Sequence, residues 1–177
     1  MIFEKLVSKA LLATFRKLVI GLSAEKKVSF NRHVPLGDLI FDRHLTAQQY
    51  GFGEGTTCYD SVLILGDVRV GKNSWIGPNV VLDGTGGLEI GDFVSISAGV
   101  QIYSHSSVNW SQSLGLHTSI ESAPTRIGNG VYIGPNAVIQ MGITVGEQAI
   151  IGALSFVNKN VPSNARAYGV PAQILTK

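Results

Sequence analysis

Residues 103–126 contain most of the side chains in this sequence that could carry out a reaction. The stretch reads YSHSSVNWSQSLGLHTSIESAPTR and holds His105 and His117, two of the four histidines, together with Trp110. An imidazole titrates near neutral pH, so it can accept a proton from a reacting group. An indole can stack on a sugar ring or a cofactor base. This polar stretch is therefore the first candidate for a functional site.

The stretch interrupts a six-residue repeat. Glycine often follows the repeated residue, and a small or branched residue lies four positions after it. Self-similarity at a fixed short period is typical of a solenoid. With a two-residue insertion near Gly86, the repeated aliphatic or similar residues are Cys58, Ile64, Val70, Ile76, Leu82, Ile90, Ile96, Ile102, then Ile127, Ile133, Ile139, Val145, Ile151 and Val157.

A period of six fits neither a helix nor an isolated strand, which repeat at 3.6 and 2.0 residues. We interpret each unit as a short strand and a corner. The aliphatic residue points inward, the small residue fills the corner, and glycine or asparagine supplies backbone freedom at the turn. Three units form one triangular coil of about eighteen residues, and stacked coils pair their strands in parallel. The sequence thus predicts an all-β parallel β-helix of about four to five coils.

The chain divides into three parts around this repeat. Residues 1–50 precede it and are predicted to form a helical cap for one end of the solenoid, because open coil edges need covering. The repeats occupy residues 51–162, with loop 103–126 protruding. Residues 163–177 follow Pro162 as a C-terminal tail.

The N-terminal segment has apolar residues near helical spacing, but several basic residues interrupt it. It is therefore too charged to span a membrane. Packing on the body or at a subunit contact is one expectation for this helix. Weak contact of residues 1–20 with an anionic membrane surface is the other.

The units IGPNVV, IGDFVS, IGNGVY and IGPNAV carry the pattern aliphatic-Gly-x-x-small-x. This pattern resembles the hexapeptide-repeat acyltransferases, and the resemblance implies their left-handed parallel β-helix. The hand follows from the resemblance alone, since general crossover rules favour the right. With GVQIYSHSSVNW, APTRIGNGVYIGPNAVI and VPSNARAYGVPA, the chain is similar to the branch of sugar, xenobiotic and polysaccharide O-acetyltransferases.

The resemblance gives two residues near the loop a role. His105 occupies the place where that branch has a histidine general base. Asp83, in VVLDGTGG, lies where related enzymes place groups that face the acceptor. From its residue type alone, Trp110 is a candidate for stacking on a sugar ring or a cofactor base, with anchoring of the loop as the alternative. His117 is a rival base that no family motif anchors. The serine-rich SSVN after His105 departs from the acidic or histidine pairs that the family often shows, which leaves the acceptor open.

On the donor side, the resemblance implies acetyl-CoA lying in a groove between neighbouring subunits of a homotrimer. The matching positions are Tyr132 and Gly134 in VYIGPN, Gly152 in IIGALS, and Lys159 in VNKNVP. A lysine can pair with a CoA phosphate. The two glycines are also explained by the repeat itself.

These expectations combine into direct transfer of an acetyl group from acetyl-CoA to a hydroxyl of a saccharide or similar small molecule, as in surface-polysaccharide synthesis. N-acetylation of an amino sugar nucleotide is the alternative, because no residue here distinguishes oxygen from nitrogen acceptors. A structural or ice-binding solenoid is disfavoured, because the outward positions are mixed and the histidine-bearing loop would have no purpose.

Other classes of function fit the composition poorly. A formal net charge of +2, with no basic run longer than Lys26-Lys27, argues against nucleic-acid binding. A γ-type carbonic anhydrase needs three histidines on a metal, and two of the four, His33 and His44, precede the repeats; we expect no metal. The only cysteine, Cys58, favours a reducing compartment such as the cytoplasm.

Overall fold

A computed structural model describes residues 2–175, with side chains from residue 8 onward. It divides into two units, Met1–Asp42 and Arg43–Lys177. The first contains helices α1 (Ile2–Phe30) and α2 (Leu36–Ile40), which pack on each other. The predicted N-terminal helix is thus present, whereas its role as a cap stays a prediction. In the described part of the chain, no helix combines the length and apolar character needed to cross a bilayer.

The second unit consists mainly of two- and three-residue strands. Its elements, in chain order, are α3 (Arg43–Gln49), β1 (Thr57–Cys58), β2 (Leu63–Val70), β3 (Trp75–Ile76), β4 (Val81–Ile90), β5 (Ser95–Ile96), β6 (Gln101–Ile102), β7 (His105–Ser106), α4 (Val108–Gln112), β8 (Glu121–Ser122), β9 (Thr125–Ile127), β10 (Tyr132–Ile133), β11 (Val138–Ile139), β12 (Thr144–Val145), β13 (Ile150–Ile151), β14 (Phe156–Val157), β15 (Arg166–Tyr168) and β16 (Gln173–Leu175).

The strands stack into three faces, and within each face successive coils pair in parallel. Face one is β1-β3-β5-β10-β13-β15. Face two begins with the first halves of β2 and β4 and continues through β6, β11 and β14. Face three begins with the second halves of β2 and β4 and continues through β9 and β12. The predicted parallel β-solenoid is confirmed, with five coils and the first strand of a sixth; its left hand stays a prediction.

The interior is the ladder of aliphatic residues that the repeat predicts. Every ladder position is buried except Ile64, which is half-buried, and the small residues four positions later line the same core. Fully burying one such aliphatic side chain stabilises a protein by about 1.5–3 kcal/mol. The ladder is therefore the main source of stability in this unit.

The corners use two different residues for two different reasons. The third residue after an inward aliphatic is left-handed at most corners, as at Asn79 (φ 57°) and Asn136 (φ 56°). The glycine directly after the aliphatic has no such dihedral. At Gly134, a Cβ would lie 2.6 Å from the backbone nitrogen of Ala153 in the next coil. The predicted backbone freedom is thus used at the third position, by Asn79 and Asn136 among others, whereas Gly134 lets two coils approach closely.

Both ends of the second unit are closed by its own residues. Ala47 of α3 and Phe52 are buried in the core cluster at the first coil. At the other end, parallel pairing continues past Pro162 to β15, and β16 then pairs antiparallel with β15. The segment predicted as a tail thus supplies one more strand of the solenoid and an edge strand that covers it.

We predict that two adjacent isoleucines in β13 differ sharply in their contribution to stability. Ile151 is fully buried and Ile150 is half-buried on the outside. Ile151→Ala should lower the free energy of unfolding by about 2–5 kcal/mol, because it removes buried methyl groups and leaves a cavity. Ile150→Ala, the matched control, should cost less than half as much in the same denaturant titration. Equal losses would contradict the inward assignment.

Candidate active site

The protruding loop rises from a short, well-anchored stem. β7 and β8 pair antiparallel at its base, with His105 opposite Ser122. The Ala123 N–H donates to the Ser104 carbonyl at 2.9 Å, and the buried Thr125 hydroxyl donates to the Tyr103 carbonyl at 2.7 Å. His105 is therefore held on a hydrogen-bonded stem at the base of the loop.

His105 contacts a carboxylate that lies entirely inside the protein. Asp83 has no exposed surface, and its Oδ2 lies 2.5 Å from His105 Nδ1. The same oxygen accepts the backbone N–H groups of Ser104 (2.9 Å) and His105 (3.1 Å). Oδ1 accepts the backbone N–H of Thr85 at 3.0 Å and its hydroxyl at 2.6 Å. Both carboxylate oxygens thus have donors.

These donors keep Asp83 ionised despite its burial. Burial by itself raises the pKa of the carboxyl group, because it removes the charged form from water. Hydrogen bonds from the Thr85 hydroxyl, the Ser104 and Thr85 backbone N–H groups and His105 outweigh burial and lower the pKa of Asp83 from 3.8 to about 2. Asp83 is therefore a carboxylate at neutral pH.

An ionised carboxylate can only accept hydrogen bonds, so the hydrogen between the two side chains must belong to Nδ1 of His105. In the neutral imidazole, Nε2 then carries the free lone pair. The side chain of His105 is 29% exposed. The pair is thus arranged as a base that can take a proton from an incoming group while Asp83 holds the ring in orientation.

The structure places Asp83 differently from the prediction. It was expected to face the acceptor, but it is buried behind His105 and its oxygens are occupied. The register contains a signal for this position: Leu82 pairs with Ile102, so the residue after Leu82 lies one coil below the start of the loop. Thr85 and Ser104, which complete the carboxylate's partners, were not singled out from the sequence.

His117 and Trp110 lie in a separate part of the loop. His117 lines an open hollow of ≈ 490 Å³ together with Asn109, Gln112, Ser113, Ser119 and Glu121. Glu121 pairs with Ser106, so strand alternation directs it away from the side on which His105 points. Trp110 is half-exposed on α4. The structure therefore joins His105, and not His117, to Asp83.

The four donor-side residues fall at two different corners. Tyr132, Gly134 and Gly152 share the corner after face one, where Gly134 donates its N–H to the Ile151 carbonyl of the next coil (2.8 Å). The Gly152 N–H likewise donates to the Ala167 carbonyl at 2.9 Å, so the backbone N–H groups of both glycines are used in coil stacking.

Lys159 instead follows β14 on face two, at the corner that His105 occupies two coils earlier. Adjacent strands lie about 4.8 Å apart, so the backbones at these two corner positions are separated by about 10 Å. Within the described residues, no three His, Cys, Asp or Glu side chains converge as a metal site would require.

We predict that Asp83 makes the free energy of unfolding depend on pH in the acidic range. Its pKa is lower in the folded protein (about 2) than its ordinary value of 3.8. The resulting stabilisation is fully present above about pH 4 and is lost as the pH falls through about 2. The advantage of wild type over Asp83→Asn in free energy of unfolding should shrink by about 2 kcal/mol across that range. Asp67→Asn, at an exposed carboxylate, is the control; a similar pH dependence there would refute the assignment.

Comparison with known proteins identifies the repeats. The family described as bacterial transferase hexapeptide (six repeats) matches residues 124–159, and the hexapeptide repeat of succinyl-transferase matches residues 67–104. The galactoside O-acetyltransferase of Escherichia coli K12 is 33% identical over 109 residues, which cover 62% of this chain and 53% of the relative.

A second curated relative and a solved structure are also acetyltransferases. The serine acetyltransferase of Buchnera aphidicola is 40% identical over 110 residues, covering 62% of this chain and 39% of the relative. The chain thus spans about half or less of these curated relatives. A hexapeptide-repeat acetyltransferase of Vibrio cholerae, crystallised with acetyl-CoA, superposes with a TM-score of 0.67 at 28% identity, covering 93% of this chain and 89% of that one.

The repeats, the solenoid and these similarities agree: residues 67–104 and 124–159 are hexapeptide repeats of the kind found in bacterial transferases, and the chain is similar to hexapeptide-repeat acetyltransferases.

Proposed function

We propose that this protein transfers an acetyl group from acetyl-CoA to a hydroxyl group of a saccharide or similar small molecule. The observation that carries the proposal is the contact between the buried Asp83 carboxylate and Nδ1 of the partly exposed His105. That contact leaves Nε2 free to act as a general base. An alcohol has a pKa far above neutrality, so it needs such a base as it attacks a thioester.

The proposed reaction proceeds by direct transfer. The acceptor oxygen bonds to the thioester carbonyl carbon while Nε2 of His105 takes the hydroxyl proton. The carbon–sulfur bond then breaks, CoA leaves as a thiolate, and the imidazolium returns the proton to sulfur or to solvent. Asp83 remains ionised throughout and stabilises the imidazolium, as the carboxylate does in a serine-protease triad. No covalent acyl-enzyme is needed.

Acetyl-CoA as the donor is supported by the acetyltransferase of Vibrio cholerae, which was crystallised with it. Lys159 lies at the corner that His105 occupies two coils earlier, and we assign it to a phosphate of CoA. Tyr132 is 44% exposed and is suited to contact the pantetheine arm. We assign Gly134 and Gly152 no direct contact with the cofactor: they allow the close packing of successive coils at the corner that they share with Tyr132.

We also propose a homotrimer with the donor groove between subunits, and a location in the cytoplasm. The exposed aromatic and apolar side chains of face one, among them Trp75 (66% exposed), are suited to a subunit contact. The single cysteine, Cys58, is buried and forms no intrachain disulfide, as is usual in a reducing compartment.

His105→Ala should reduce the rate of CoA release from acetyl-CoA by at least about 10²-fold, because the acceptor would lose its general base. The measurement is thiol release across a panel of matched hydroxyl and amino sugars, with circular dichroism to verify folding. His117→Ala is the control and should retain wild-type rates. Activity only with amino sugars would favour the N-acetylation alternative. An active, folded His105→Ala variant would refute the proposed base.

Asp83 and His105 should act as one unit. Asp83→Asn places an amide, which can also donate, beside Nδ1 and so favours the wrong tautomer; it should lower kcat by about 10²-fold or more with little change in KM. The His105→Ala/Asp83→Asn double variant should be no slower than His105→Ala, because Asp83 acts through the ring. Multiplicative losses would show that Asp83 acts independently of His105.

A further inference from the structure

Helix α1 presents an apolar surface that its own unit does not cover. Leu11 (69% exposed), Phe15 (41%) and Leu18 (57%) are spaced i, i+4 and i+7, so they lie on one side of the helix. Exposed apolar side chains are common singly, but a continuous row on one helix face indicates an interaction surface. We refer to these three residues as the apolar row.

The charged residues in the part of α1 that carries the apolar row are all basic. Residues 5–24 contain no aspartate or glutamate, and Lys9, Arg16 and Lys17 are exposed. At 100° per residue these three bases lie about 130–150° from the centre of the apolar row, on the opposite side of the helix. The three bases therefore lie opposite the apolar row, on a side of the helix that also carries the exposed Ile20.

This distribution fits a helix that lies in the plane of an anionic membrane surface. Such helices bury their apolar face to about 5–10 Å, at the boundary between headgroups and acyl chains, and use lysine and arginine on the polar face to attract anionic lipid. The helix is too charged to cross the bilayer. An anionic surface also attracts the bases of the polar side, which packing of the apolar row on a second copy of this chain would leave unused.

We propose that α1 anchors this protein reversibly to anionic membranes through the apolar row, with the bases of its opposite side supplying electrostatic attraction. The proposal is independent of the catalytic role given to His105. It gives the N-terminal unit the role of attaching the protein to the membrane. At the membrane surface, the protein would meet acceptors that are themselves attached to lipid.

The test is flotation of the full-length protein with phosphatidylcholine vesicles containing none or about 30% phosphatidylserine. Wild type should bind the anionic vesicles, and added salt should weaken the binding. Phe15→Gln/Leu18→Gln should weaken binding at least about tenfold, because the apolar contribution is removed while the charge and helix propensity are kept.

Two variants show whether position or composition matters. Ala13→Gln/Ala24→Gln introduces the same glutamines on the polar side, at exposed positions, and should bind like wild type. Arg16→Gln/Lys17→Gln should weaken binding about tenfold and reduce its salt dependence.

Three results would overturn the proposal: no binding of wild type to anionic vesicles, equal binding by Phe15→Gln/Leu18→Gln, or equal losses in the two glutamine pairs at 15/18 and 13/24. Sedimentation without lipid distinguishes membrane binding from self-association of this chain. If Phe15→Gln/Leu18→Gln lowers the molecular mass of the assembly while wild type ignores vesicles, the apolar row instead covers a second copy of this chain.

Discussion

The register between successive coils is the constraint on which the rest of this structure depends. Pairing of Leu82 with Ile102 sets the carboxylate of Asp83 beneath the backbone of Ser104 and His105. A slip of one residue would exchange the inward and outward sides of every strand. The aliphatic ladder prevents such a slip, because it would expose the core of a whole coil. Hydrophobic packing far from the loop thus determines the geometry of the proposed base.

A buried carboxylate would ordinarily destabilise a protein unless it were fully hydrogen-bonded. Asp83 meets that requirement mostly through groups other than the imidazole: the Thr85 hydroxyl and the backbone N–H groups of Thr85, Ser104 and His105. The carboxylate therefore remains satisfied whether or not the imidazole is present. It can orient His105 while the stem of the loop is held by the same bonds, so one residue serves both the fold and the proposed chemistry.

The sequence was sufficient to predict the solenoid, since burial of the ladder repeats at every coil and each unit confirms the others. It was less informative about individual residues. After the inward Leu82, alternation alone would turn Asp83 outward, and only the corner at the base of the loop brings it under His105. Gly134 and Gly152 share the pattern of the turn residues, but their cause is contact between coils, which depends on backbone geometry that a repeat pattern does not contain.

The stacking that makes the scaffold regular also limits where a ligand can be held. At Gly134 and Gly152 the backbone N–H groups already donate to the next coil, and the hydroxyls of the buried Ser74 and Ser155 are hydrogen-bonded to backbone groups. Binding groups must therefore come from outward side chains or from departures in the repeat. Corner residues such as Phe93 and Leu154 adopt left-handed dihedrals at φ 56° and 58° although side chains of their size disfavour them, so the stacked coils dictate the backbone even against local preference. On such a scaffold, a single inserted loop with one buried carboxylate at its base can form a reactive site without disturbing the stacked coils.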